Sequence, residues 1–381
     1  MNSTPFRSAA FVTLAVVAAL LLALAGRSSG QMPHMSHVQD EPIGVRSGNV
    51  SMEVSVSDRT GNSLKSLTEK DFAVYEDGVK QRIVRFSQTQ APFNVMLLLD
   101  LSGSTEKDID LMKSASDEFV SDLRAGERVA VATFSNGGQM VADFQDDRKE
   151  TKRKIAGISI PAATEGERYT VDSGTSFYDA LDFAIKSSPL AQVEGRKALV
   201  CITDGVDSSS TLKYSDVAGE LRKSNTTLYF LALDTEKENL NLVLKDPSDR
   251  DYANFSRSQL NRYFDRFEPD PYAPDRQIPR NELSKAILAK INAGLYEIAR
   301  QQMAQMAEHT GGKVYPVNGV ADLPAAFKQV ITDLRAQYSI EYHASNPAHD
   351  GLWRAIRVEV DVPGAIVHAR SGYLASAQEF R

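Results

Sequence analysis

Two aspartates and three hydroxyl residues carry the plainest candidate chemistry in this 381-residue chain. Asp100-Leu101-Ser102-Gly103-Ser104 sets a carboxylate and two hydroxyls at alternate positions, and Gly103 permits the turn that aims Asp100, Ser102 and Ser104 at one point. Thr175 lies in Asp172-Ser173-Gly174-Thr175-Ser176, just ahead of a helical pattern that starts at Phe177. Asp204 ends the apolar run Leu199-Val200-Cys201-Ile202-Thr203. Together these side chains form an all-oxygen set for a hard divalent cation. Mg2+ or Mn2+ at about 2.0–2.2 Å, with waters completing an octahedron, fits best; Ca2+ ranks behind them. Two carboxylates neutralise such an ion without saturating it.

Other chemistries are weaker. Ser102 as a nucleophile lacks a histidine in a matching loop, and an aspartyl phosphatase wants a second Asp where Ser102 stands. No catalytic residue and no organic cofactor is therefore expected, and the chain is read as a non-enzyme. A Mg2+-dependent hydrolase, or an envelope protein whose metal only staples loops, remains as an alternative. Cys201 sits inside an apolar strand and reads as a packed hydrophobe. As the lone cysteine it excludes an internal disulfide. His309, His343, His349 and His368 show no ligand spacing.

The elements that position the five residues follow from periodicity. Val95 to Leu99 is a continuous apolar run, as in a central strand of a parallel sheet, and Asp100 ends it. Further strands are expected at Val129–Phe134, Leu199–Thr203 and Thr227–Leu233, with Met140–Phe144 as a hairpin neighbour of the second. Helices are expected near Lys107–Leu123, Asp147–Ile155, Phe177–Ser187, Tyr214–Lys223, Glu282–His309 and Ala321–Ala336. Strands alternating with helices predict an α/β fold with a doubly wound, mostly parallel sheet, which binds ligands at the carboxyl ends of its strands. Asp100 and Asp204 then share one edge.

Both flanks read as β. Val50, Met52, Val54 and Val56 alternate with Ser51, Glu53, Ser55 and Ser57. Thr68 with Asp71 forms a capping box. Phe72–Glu76, the turn Asp77-Gly78 and Gln81–Phe86 read as a hairpin. In the tail, strands are expected at Gln337–Tyr342, Arg354–Val360 and Ile366–Ala369, with Trp353 as core. Neither flank holds a core alone, so 45–90 is expected to pair with 337–381 as one small β-sandwich-like domain around the α/β unit.

The start of the chain reads as an export signal. Arg7 precedes a small and apolar run from Ala9 to Ala25, so residues 1–25 are expected to be a signal peptide cleaved after Ala25. An uncleaved N-terminal anchor is the alternative, and only then would a membrane be a partner. Residues 26–44 read as a linker; Met32, His34, Met35 and His37 could bind copper, but nothing there is periodic enough to fix a geometry. The expected location is periplasmic or secreted. With 43 basic against 50 acidic residues, a net charge of −7, nucleic acid is not expected as a partner.

Asp100-x-Ser102-x-Ser104, Thr175 and Asp204, in that order and at strand ends, resemble the metal-ion-dependent adhesion site of von Willebrand factor A domains. The resemblance covers 91–336, with 235–281 as an insertion rich in Asp, Arg, Tyr and Pro. There Ser256–Phe267 is expected to form a short helix with Leu260, Phe264 and Phe267 on one face. The flanks, from Ser66 to Gly78 and from Tyr338 through Trp353 to Tyr373, are similar to the VWFA-related family abundant in acidobacteria. The resemblance implies a metal-dependent protein-binding module, for adhesion or assembly, whose ion takes a carboxylate from a partner protein. In related domains ligation is coupled to the last helix, here Ala321–Ala336.

Overall fold

The computed structural model describes residues 48–89, 91–103, 105, 108–145, 147–159, 174–244, 255–269 and 283–375. The expected signal peptide and linker, Ser104, and Asp172 and Ser173 lie outside the described residues.

Alternation after Val50 produces strand β1 (Asn49–Ser57), with Val50, Met52, Val54 and Val56 almost fully buried. The capping box forms at Thr68, whose N–H donates to the Asp71 carboxylate at 2.7 Å, and leads into β2 (Phe72–Glu76). The expected hairpin is corrected here. Its return is only β3 (Val79–Lys80); the next strand, β4 (Arg82–Gln88), belongs to a different sheet. The crossing occurs at buried Gln81, whose N–H donates to Val74 O at 2.8 Å. Its side-chain amide donates to Val79 O and to Ser345 of the tail, which pins the chain where it passes from one sheet to the other.

The α/β unit follows. In chain order it runs β5 (Phe93–Asp100), α1 (Ile109–Asp122), β6 (Arg128–Ser135), β7 (Gly137–Gln145), α2 (Arg148–Ala156), α3 (Phe177–Asp182), α4 (Pro189–Gln192) and β8 (Arg196–Thr203). It continues through α5 (Tyr214–Lys223), β9 (Thr226–Leu233), α6 (Glu236–Val243), α7 (Arg257–Phe267), α8 (Lys285–Thr310), β10 (Val314–Val317) and α9 (Leu323–Leu334). Among the described residues these strands form a six-stranded sheet in the order β10-β9-β8-β5-β6-β7. All neighbours are parallel except β6 and β7. Every residue of β5 is buried, because helices cover both faces. Val95, Leu97 and Leu99 pack with α1 and α9, while Met96 and Leu98 pack with α3 and Met303 of α8. Each such buried side chain contributes about 1.5–3 kcal/mol.

The tail supplies β11 (Tyr338–His343), β12 (Trp353–Val360), β13 (Ile366–Ala369) and β14 (Gly372–Leu374). They join the leading strands in two four-stranded sheets, β13-β1-β11-β4 and β14-β12-β2-β3. The α/β unit is thus inserted in a β-sandwich whose strands come from both flanks. Between the sheets lie Val50, Val54, Val74, Tyr338, Ile340 and Ile356. A buried carboxylate, Glu76, accepts the Tyr342 hydroxyl at 2.6 Å and that of Tyr373 at 3.0 Å. Trp353 is half-buried rather than core: its ring starts β12 beneath the Arg222 guanidinium, 5.8 Å away.

The helix expected in the insertion is present. Among the described residues the insertion contains α6 and α7; α7 buries Leu260 and Tyr263, and Phe267, though 36% exposed, lies on the same face beside the Tyr263 ring, 5.2 Å between centroids.

Candidate metal centre

Asp100 ends β5 and Asp204 follows β8, the strand paired in parallel beside it. Both carboxylates are buried, Asp100 completely. One Asp100 oxygen accepts the Ser102 N–H at 2.9 Å; the other accepts the Thr203 hydroxyl at 2.6 Å, which itself receives the Gly205 N–H at 2.9 Å. The Ser102 hydroxyl also bonds the Asp100 carboxylate. Burial, reinforced by the nearby Asp204 charge, pushes Asp100 up to about pH 7, against the pull of the Thr203 and Ser102 bonds. Asp204 accepts Val206 N–H at 3.0 Å and the Thr235 hydroxyl at 2.6 Å. The Tyr296 hydroxyl of α8 lies 2.8 Å from the Thr235 oxygen and 3.4 Å from Asp204. Gly205, at φ 74°, takes the left-handed turn that lets the chain leave the strand between these two anchors.

The loop after β5 is pinned by Thr105. Its hydroxyl donates to the carbonyl oxygens of Asp100 at 2.7 Å and Ser102 at 3.0 Å. Thr175 reaches the same edge through its backbone. Its N–H donates to the Ser208 hydroxyl at 2.7 Å, and its carbonyl accepts the N–H groups of Ser208 and Ser209 at 2.9 and 3.2 Å. The next residue, Ser176, donates its N–H to Ser135 O at the end of β6, 2.7 Å away.

The structure therefore brings Asp100, Ser102 and Asp204 together and ties the Thr175 loop to the loop that follows Asp204. Ser104 lies outside the described residues. Two crowded, buried carboxylates and flanking hydroxyls fit a small hard cation, and the hydrogen bonds on Asp100 come from an amide and hydroxyls rather than from a cation. Among the described residues no three His, Cys, Asp or Glu side chains gather at one point, so a cation here would depend on hydroxyl ligands.

Sequence reasoning missed the groups that hold the aspartates. Thr203, beside Asp204 at a strand end, carries a local signal. Thr235 and Tyr296 carry none, because they come from β9's far end and from α8. Arg262 is also new: its Nη1 lies 2.7 Å from the buried Asp207 carboxylate, three residues beyond Asp204. Cys201 is fully buried beside Leu98 and Phe230, its thiol pushed up by burial and by Asp100, as suits a packed hydrophobe.

Among known proteins, an uncharacterized Bacillus subtilis (strain 168) protein, YwmC, is 25% identical over 195 residues, 47% of this chain and 84% of that protein. A solved structure described as von Willebrand factor type A from Catenulispora acidiphila is 11% identical, with 90% of this chain and 77% of that one covered, at TM-score 0.39. An aerotolerance-related membrane protein from Bacteroides fragilis NCTC 9343 is 17% identical, covering 62% of this chain and 97% of that one, at TM-score 0.37. At such scores these likenesses add nothing to the strand order itself. Residues 94–266 match the family model for the von Willebrand factor type A domain, and with this sheet order the central α/β unit has the von Willebrand factor type A fold.

Proposed function

We propose that this chain is an exported protein-binding module in which a divalent cation, Mg2+ or Mn2+, is held by Asp100, Ser102, Ser104, Thr175 and Asp204. The observation that carries the reading is the convergence of two buried, mutually repelling carboxylates with hydroxyls at the carboxyl edge of the sheet. A bound cation would supply an electrophilic position for an aspartate or glutamate of a partner protein.

The chain's own residues prepare that position. Thr203 and the Ser102 N–H orient both oxygens of Asp100, and Thr235 with Tyr296 orients Asp204. The remaining ligands would be neutral hydroxyls and water, so an ion neutralised by the two aspartates would stay unsaturated and electrophilic, with a position open to a partner carboxylate. The Ser102 hydroxyl bonds a carboxylate rather than an imidazole base, which supports binding over nucleophilic catalysis. Export rests on the pattern of residues 1–25, and a membrane enters only if that segment stays attached. The net charge of −7 argues against a nucleic-acid partner.

The test is chemical cross-linking of the purified protein to envelope extract, in Mg2+ and in EDTA, with wild type and Asp100→Ala. A cross-linked species that needs both Mg2+ and Asp100 is expected. A pattern identical in EDTA and in Mg2+ would leave the ion as no more than a loop staple.

A further inference from the structure

The insertion between β9 and α8 has no part in the function proposed above, yet its helix α7 reaches the candidate metal edge. α7 starts at a reciprocal cap, with Gln259 N–H on the Ser256 hydroxyl at 3.1 Å and Ser256 N–H on the Gln259 side chain at 2.9 Å. It lies along α8, where Leu260 and Tyr263 are buried with Leu288, Ile291 and Leu295. Gly294 makes that approach possible. A Cβ there would sit 2.6 Å from the Tyr263 ring and 2.8 Å from that of Phe267. Glycine inside a helix costs about 1 kcal/mol relative to alanine, so its place in α8 is a seat for α7.

Arg262 extends from α7 to Asp207. Its Nη1 lies 2.7 Å from one Asp207 carboxylate oxygen, and its Nη2 donates to the Asp207 carbonyl. The other carboxylate oxygen accepts the Phe177 N–H at 2.9 Å, together with the Ser210 N–H and hydroxyl. Phe177 is the first residue of α3, two positions after Thr175. Asp207 therefore grips the Thr175 loop with one oxygen and α7 with the other, and its side chain is only 1% exposed. Without the guanidinium, a buried carboxylate would be left with neutral donors alone. That arrangement is strongly unfavourable, and the loops around it would open to hydrate it.

We propose that α7 is a latch on the metal centre: Arg262, seated on Asp207, is a positioning residue that fixes the Thr175 loop, and undocking of α7 releases it. The inference rests on the metal reading above and adds a control element to that site. It makes docking of α7 and occupation of the centre mutually reinforcing.

Two variants of the full chain test it from opposite sides. Arg262→Gln removes the grip, and Gly294→Leu unseats Tyr263 and Phe267 without touching Arg262, Asp207 or the metal residues. Hydrogen exchange of the Phe177 amide in EDTA reads the loop directly, and calorimetry with Mn2+ reads the centre. Both variants are expected to speed Phe177 exchange and to weaken Mn2+ binding by about tenfold, as loss of a ligand's supporting contact does elsewhere. The double variant should be no worse than either single one, since both act through the same docking. Wild-type Phe177 exchange and wild-type Mn2+ affinity in both variants would overturn the latch while leaving the metal centre standing. Absence of Mn2+ binding by wild type would overturn the metal centre and the latch with it.

Discussion

Asp100→Asn should reverse its effect on stability between acid and neutral pH in metal-free protein. Burial and the Asp204 charge raise the Asp100 carboxyl from the ordinary 3.8 to about 7. The folded chain therefore holds this proton more tightly than the unfolded chain does. Its contribution is fully present below about pH 4 and is lost as the pH rises through about 7. At about 1.4 kcal/mol per pH unit, that interval corresponds to about 4 kcal/mol of lost stability by pH 8. Asparagine carries no such charge. Its amide replaces the oxygen that accepts the Thr203 hydroxyl, and loss of that bond costs about 1 kcal/mol. At pH 4 the variant should thus be about 1 kcal/mol less stable than wild type, and at pH 8 about 3 kcal/mol more stable. Urea unfolding in EDTA at several pH values reads the difference. A difference of constant sign and size across that range would refute the view that two ionised carboxylates are crowded at this edge. Adding Mg2+ at pH 8 should raise the midpoint of wild type alone.

Further outcomes follow from close contacts elsewhere. Gly312→Ala places a Cβ 1.9 Å from the Leu228 carbonyl oxygen in β9, where neither backbone can give way, so a loss of about 3 kcal/mol or more is expected in thermal or chemical unfolding. Arg370→Met removes donors to Gly372 O at 2.7 Å and to Arg222 O, near the end of α5, at 3.0 Å. With the carbonyl of buried Gly372 left without its donor, a loss of about 1–3 kcal/mol is expected by urea unfolding. An unchanged unfolding midpoint in either variant would contradict the packing described.

The elements with strong local patterns are the ones legible in the sequence. The alternation of β1 and the unbroken apolar run of β5 each admit one reading, and the polar residues ending β5 and β8 mark the functional edge. Short elements are different. β10 has only four residues, including Pro316, and holds its place at the sheet edge through β9 and α9 rather than through any pattern of its own. The hairpin after Asp77-Gly78 has a return strand of two residues, and at Gln81 the chain passes to the other sheet, where the side chain bonds the distant Ser345, a contact that no local pattern announces. In the site, Asp100, Ser102 and Asp204 are legible because the strand ends place them. Thr235, Tyr296 and Arg262 are not, since their value arises only when β9, α8 and α7 are packed against that edge.

Binding of a divalent cation by Asp100 and its neighbours is read by isothermal titration of EDTA-stripped, dialysed protein with Mg2+ and Mn2+, beside Asp100→Ala. Circular dichroism should show the variant folded, because the buried strands around Asp100 do not depend on its carboxylate. Saturable binding of one ion to wild type and none to Asp100→Ala is the expected result; equal affinity in the two proteins would contradict the site.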